Sequence, residues 1–286
     1  MSLLERINEC SYEDINRIID TELEKITSGC KKEKIIEFGE NMGKVTVHKG
    51  FIHPDTRIRY SNYSMNSYSM KSKDFYYEFA KFVKDYHIKN KDDLVRYLES
   101  FINSYFGINR DGKDRRDDYF DSLAWNSTSS DEEYFKAIDN FEIGTLKHQN
   151  IAMCTDRAAM AENLLSLFGI DVLYCVGSIT NENSECHAFN IGTGKNNYIL
   201  LDYSLPVPVY KNDKLSFYVP FQGNISNDEI DDVLNNKKVL SFNNYYYIYD
   251  DGKIKKVIED SYREYVVGEF LMDNHKDKKW GMYEKE

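Results

Sequence analysis

Apolar residues recur at helical spacing through much of the first 140 positions. Ile15, Ile18, Ile19, Leu23 and Ile26 share one face between Ser11 and Thr27, and Gly29 closes the run. Phe75, Phe79, Phe82, Val83 and Tyr86 repeat the pattern from Lys73 to Tyr86. Asn90 is placed to cap a third helix carrying Leu94, Leu98, Phe101 and Ile102, which stops near Gly107. Ser130 with Glu133 forms a capping box ahead of a fourth, Tyr134 to Phe141. Such stripes predict a core between helices, not cofactor contacts. Two stretches break the pattern. Tyr60 to Ser72, a repetition of Tyr, Ser, Asn and Met, reads as a loop with a substrate groove as its candidate role. Ile108 to Asp118 reads as a charged connection.

The period then changes. From Thr155, Ala158, Ala161, Leu165 and Phe168 keep helical spacing, Leu164 and Leu167 widen the stripe, and Gly169 stops it. Ile170 to Ile179 is rich in β-branched and aromatic residues and predicts a strand. Cys186 to Ile191 predicts a second strand and Tyr198 to Ser204 a third, joined by a turn at Gly192–Asn197. Folded symmetrically about that turn, the pair sets His187 opposite Asp202, with Cβ atoms about 5 Å apart. A slip of one residue would send Asp202 to the other face. Further hairpins are expected about Asn212-Asp213 and Asp251-Gly252, with a short helix capped by Ser226 and Glu229 between them. Tyr245 to Tyr249 reads as a strand whose outward tyrosines are a candidate binding face. The charged tail after Met272 reads as solvated.

Chemistry concentrates in three of these elements. Cys154 stands at the predicted helix start, where unpaired N–H groups and the helix dipole favour an anion. A thiol needs a base to become a nucleophile, and an imidazole needs a carboxylate to hold its orientation. His187 and Asp202 supply both. An oxyanion would need donors: the Cys154 N–H is one candidate, and Gln149 is preferred over His148 and Asn150 for the second. Asp156 reads as a dipole partner and Arg157 as a solvated or salt-bridged residue.

The order Cys154, Gly169-Ile170, His187-Ala188-Phe189, Asp202 resembles the core of the transglutaminase-like superfamily of papain-like cysteine enzymes over residues 145–206. Met153 and Thr155 stand where the family often has Gly or aromatic residues, and Phe189 stands where it often has Trp. The resemblance implies an α+β, papain-like fold, with the nucleophile at a helix N-terminus packed on an antiparallel sheet. It implies Cys154 as nucleophile, His187 as general base and acid, and Asp202 as the residue orienting His187. The organisation expected is a mainly helical region, 1–140, and a transglutaminase-like catalytic core with C-terminal hairpins, 141–286, separate or integrated into one domain.

The activity so implied is acyl transfer through a thioester on amide substrates: peptide, protein or glutamine side chain. Water as second nucleophile gives a protease or amidase, an amine gives a protein-glutamine acyltransferase, and hydrolysis is favoured slightly. The alternative is a catalytically inactive module of the same fold that binds a protein partner. No cofactor or metal is expected, since Cys154, Cys175, Cys186 and His187 make no C-x-x-C or H-x-x-x-H pair. Cys175 and Cys186 read as core thiols. His48, His53, His87 and His275 have no acidic or thiol partner at useful spacing.

Composition narrows the partners. A formal charge of −11 over 286 residues argues against nucleic acid or an anionic membrane surface. The apolar runs are too short to span a bilayer, and the first residues lack a signal-peptide apolar region. Five cysteines, sparse and odd in number, suit a reducing compartment, so a cytoplasmic enzyme acting on a peptide or protein is expected. The abundance of Asn, Lys, Ile and Tyr suits an AT-rich bacterial genome. Nothing in the sequence sets the oligomeric state.

Overall fold

The computed structural model describes residues 1–33, 35–38, 47–60, 63–107, 118–119, 122–124, 130–138, 140–180, 184–194, 197–250 and 252–268. The charged connection after Ile108, apart from Asp118, the tail after Met272 and His275 therefore lie outside the described residues, as does the Cys186 side chain.

The fold is α+β, and its N-terminal part is mainly helical. Helix α1 (Leu3–Glu9), which the periodicity does not assign, buries Leu3, Leu4 and Ile7. Helices α2 (Ile15–Gly29), α3 (Asp74–Asp85) and α4 (Lys91–Phe106) bury most of the stripes that periodicity assigns them, although Tyr86 at the end of α3 is exposed. The Asn90 side chain accepts the Asp93 N–H at 2.8 Å, and Gly107, at φ 81°, ends α4. Helix α5 (Asp131–Ile138) follows Ser130, whose hydroxyl accepts the Glu133 N–H at 3.4 Å.

Strands interrupt this part where a loop was expected. β1 (Ile35–Phe38) runs parallel to β3 (Arg57–Tyr60), and β3 pairs antiparallel with β4 (Tyr63–Ser69). Tyr60 to Ser72 is thus mostly strand. Its apolar positions fall at Tyr63 and Met65 and then at Tyr68 and Met70, so the alternation loses phase at Asn66-Ser67. The ladder shifts over the same stretch, pairing Ile58 with Tyr68 but Tyr60 with Tyr63.

The second half is a long sheet closed on itself. β5 (Val172–Thr180), β6 (Ser184–Thr193), β7 (Tyr198–Lys211), β9 (Leu240–Asp250) and β10 (Lys253–Val267) pair in that order, and β10 returns to β5 through Glu264–Val267. β2 (Val47–Lys49) extends β5, and β8 (Lys214–Ile225) pairs with β7. Both expected hairpins form. Asn212 and Asp213 take positive φ in the β7–β8 turn, and Gly252 does so between β9 and β10. Between these hairpins the short helix α7 (Ile230–Leu234) follows Glu229, whose carboxylate accepts the Ser226 N–H at 3.0 Å.

Helix α6 (Cys154–Leu167) lies between the two parts and is buried around its whole circumference from Thr155 to Leu165, not only along one stripe. Several of its buried polar residues are held by partners, while the Thr155 hydroxyl is buried without one among the described residues. Asp156 accepts the Met153 N–H at 2.7 Å. Asn163 exchanges hydrogen bonds with both backbone groups of Ile52 and donates to the Tyr76 hydroxyl at 2.8 Å. One core runs from Leu3 through α6 to Val172, Tyr174, Val176, Ala188, Leu201 and Tyr203. A second, inside the closed sheet, takes the alternate residues Cys175, Phe189, Ile191 and Leu200 with Phe221, Tyr245 and Tyr265. The first core crosses position 140, so helical part and sheet share it.

Candidate active site

Cys154 is the first residue of α6 and half-buried. The segment before it is pinned to the end of α4. His148 N–H donates to Tyr105 O at 2.8 Å and Asn150 N–H to Phe106 O at 3.0 Å, with positive φ at His148 and Asn150. Gly107 takes φ 81°, a conformation that favours glycine, and a Cβ there would also meet the Asn150 side chain. The Gln149 amide donates to Lys147 O at 3.3 Å, and among the described residues no hydrogen bond joins it to Cys154 or His187.

His187 lies on β6, opposite Gly177 of β5. Its Nε2 is 2.7 Å from Asp202 Oδ2, with His187 8% exposed and Asp202 fully buried. The symmetric register that set these residues directly opposite is corrected by the ladder. β6 and β7 pair from Asn190↔Leu201 to Thr193↔Tyr198, because β6 runs on to Thr193 and four residues, Gly194 to Asn197, connect the strands instead of the six from Gly192 to Asn197. An offset of two keeps every side chain on its face, so Asp202 reaches His187 on the diagonal. The ladder ends at Asn190, whose amide donates to Ala158 O of α6 at 3.1 Å and ties the strand to the helix.

Two further donors hold the Asp202 carboxylate: the Tyr265 hydroxyl to Oδ2 at 2.9 Å and the Ser204 N–H to Oδ1 at 3.0 Å. Tyr265 comes from β10, 63 residues further along the chain, and no local pattern points to it. Burial works to raise the Asp202 pKa, but the charge and hydrogen bond of His187, with the Ser204 and Tyr265 donors, hold it below the usual carboxylate range. For His187, burial works downward. The Asp202 charge and hydrogen bond, with a contribution from the Cys154 side chain, overcome it and raise the imidazole to about 10. The structure thus joins His187 to Asp202, with the Cys154 side chain near enough to bear on the imidazole but, among the described residues, not hydrogen-bonded to it. With Nε2 given to Asp202, Nδ1 is the ring atom left for the sulfur.

Arg157, one turn into α6, is 5% exposed, a correction to the solvated or salt-bridged expectation. It donates to Asn103 Oδ1 and to Gly107 O, both at 2.7 Å, and among the described residues no carboxylate lies within ion-pairing distance. Glu99, fully buried on α4, accepts from Asn103 Nδ2 at 2.7 Å and leaves Oε2 without a partner. Burial pushes Glu99 up to about 8 against the pull of Arg157 and Asn103.

His48, expected to lack an acidic partner, has two, Glu162 and, 3.8 Å from its Nε2, Glu33. Its Nδ1 lies 3.1 and 3.0 Å from the two oxygens of buried Glu162, 114 residues away, a separation no local spacing exposes. Cys175 is a buried core thiol, as expected, and burial pushes it up. Among the described residues no helix is long and apolar enough to cross a membrane. Comparison of the chain with protein-family models, with curated proteins and with solved structures returns no match.

Proposed function

We propose that the chain is a cysteine acyl-transfer enzyme with a transglutaminase-like, papain-like core, in which Cys154 attacks the carbonyl carbon of a peptide, protein or glutamine side-chain amide. The observation that carries this reading is the buried 2.7 Å contact of His187 with Asp202, on a ring whose pKa the Cys154 side chain at the start of α6 also helps to raise. Each group has a definable task. His187 takes the thiol proton at Nδ1, and Asp202 stabilises the imidazolium that results. Sulfur forms a bond to the carbonyl carbon, and the first-turn N–H of α6 at Cys154 meets the developing oxyanion. As the C–N bond breaks, His187 returns the proton to the departing amine, leaving a thioester on Cys154. His187 then deprotonates water, which displaces the sulfur and releases the acid. An amine in place of water gives transfer. Hydrolysis is favoured because water reaches any site not built to exclude it.

Mass spectrometry of the Cys154 peptide after exposure to activated peptide esters tests this. A thioester adduct that neutral hydroxylamine removes, and that His187→Ala does not form, is expected. A folded protein whose Cys154 stays unmodified by every ester would favour a binding module of the same fold.

A further inference from the structure

The closed sheet has a seam beside β7. β6 leaves that strand after Leu201, and β9 joins it only from Val209↔Tyr247, so among the described residues positions 202–208 pair with β8 alone. Pro206 and Pro208 fall in this stretch and have no N–H to offer a neighbour. Carried back from Val209↔Tyr247, the parallel register sets Pro206, Val207 and Pro208 across from Asn244, Tyr245 and Tyr246. Those six residues line a cavity of about 680 Å³, a volume that suits a small molecule, and Cys154, His187 and Asp202 do not line it. Phe221 of β8 packs on Tyr245 with ring centroids 5.1 Å apart and gives the cavity an aromatic wall. The Tyr245 hydroxyl accepts the Gln222 N–H at 2.7 Å and donates to Gln222 O at 3.1 Å, which anchors that wall to β8.

Two buried polar atoms of the lining residues have no hydrogen-bond partner among the described residues. Arg263 Nε is a donor, and its guanidinium lies over the Phe221 ring, 5.2 Å from the centroid. Asn244 Oδ1 is an acceptor, while Nδ2 of the same amide donates to Ser261 Oγ at 2.8 Å. Buried polar atoms left unpaired in a native fold are rare, and a pair of opposite kind in one cavity fits a ligand that supplies both partners. A planar guanidinium suits a carboxylate. The other charged residues lining the cavity, Asp213 and Glu259, are exposed carboxylates, which repel a second anionic group and attract an ammonium. The rings and prolines suit a flat apolar body. An added peptide strand would need donors along β7 that Pro206 and Pro208 withhold. We infer that this seam binds a small zwitterion with an aromatic side chain, an aromatic amino acid. Its carboxylate meets Arg263, its ammonium meets Asn244 Oδ1 and the Asp213 and Glu259 rim, and its ring lies against Phe221 and Tyr245. The site is separate from the Cys154 chemistry and does not depend on it.

Ligand-observed NMR titration of the full chain at neutral pH tests this with L-phenylalanine, phenylpropionate and phenethylamine, the two analogues each lacking one charged group. Phenylalanine is expected to bind with a Kd of about 1 mM or tighter. Each analogue is expected to bind about tenfold or more weakly, as loss of a charged hydrogen bond predicts. Arg263→Gln should weaken phenylalanine by a similar factor. Asn244→Ala should weaken phenylalanine and leave phenylpropionate unchanged. A melting curve for each variant establishes that it is folded. Phenylalanine that fails to bind at about ten times that concentration would overturn the inference. Phenylpropionate or phenethylamine binding as tightly as phenylalanine would overturn it too, and this comparison needs no variant. Unchanged phenylalanine affinity in a folded Arg263→Gln or Asn244→Ala protein would place the binding elsewhere and overturn the site.

Discussion

Asp202 is a carboxylate without solvent, and three donors make that burial tolerable: the His187 ring, the Tyr265 hydroxyl and the Ser204 N–H. Removing one has a definable cost. Tyr265→Phe leaves the ring packing against Phe189 and Phe221 and deletes only the hydroxyl. It is expected to destabilise the fold by about 1.5–3 kcal/mol, the range for a hydrogen bond to a charged group, as read by denaturant unfolding. Unchanged stability would mean that Asp202 does not depend on this donor. The proposed triad residues are expected to separate differently under turnover. Cys154→Ala and His187→Ala are each expected to reduce the initial rate to background, because either loss removes the activated nucleophile. Asp202→Asn should keep a measurable fraction, since an amide still orients the ring. Cys175→Ser should leave turnover in place and lower the melting temperature, as loss of a buried thiol would.

At the scale of elements, the approach of β10 to β5 delivers Tyr265 to Asp202, and Gly177 permits that approach. A Cβ at Gly177 would fall 1.7 Å from Val266 O, and the neighbouring Gly268 N–H donates to Val176 O at 2.8 Å. Gly177→Ala is therefore expected to cost about 1–3 kcal/mol through forced displacement of β10, and to weaken the Tyr265 contact. A crystal structure with the Tyr265–Asp202 distance unchanged would refute that coupling. Elements whose signals are local were legible in the sequence. Asn90 and Gly107 bound α4, Asn212-Asp213 turns β7 into β8, and Cys154 opens α6. Others were hidden for physical reasons. The alternation along β4 loses phase where its ladder shifts, so no period-two run survives. The β6–β7 register depends on loop length, and only the even offset kept Asp202 on the face of His187. Tyr265, Glu99 and the His48–Glu162 pair depend on tertiary contacts that no window along the chain contains.

For the molecule as a whole, the buried ionisable groups set how stability varies with pH. Burial pushes Glu162 up to about 7 and Glu99 to about 8, while Asp202 outweighs burial to raise His187 to about 10. His48 is also raised, its Glu162 partner outweighing burial. Each folded value exceeds the unfolded one, so the native state holds protons that the unfolded chain has released. Stability from these groups is complete below their unfolded values and is lost as pH rises through the folded ones. Asp202 has the opposite sign. Its lowered value contributes above the usual aspartate range and is lost as pH falls through the folded value. The melting temperature is therefore expected to be highest near pH 5, where both contributions hold, and to fall steadily toward pH 8 and beyond. Glu99→Gln should flatten that fall between about pH 4.5 and 8. A melting temperature that rises from pH 5 to 8 would contradict the assignment of these groups.

The central claim is that His187, held by Asp202, activates the Cys154 sulfur. Alkylation of Cys154 by iodoacetamide at neutral pH, compared in wild type and His187→Ala, tests it most directly. Wild-type Cys154 is expected to react at least tenfold faster than free cysteine and to lose that advantage in the variant. Equal rates in the two folded proteins would contradict it.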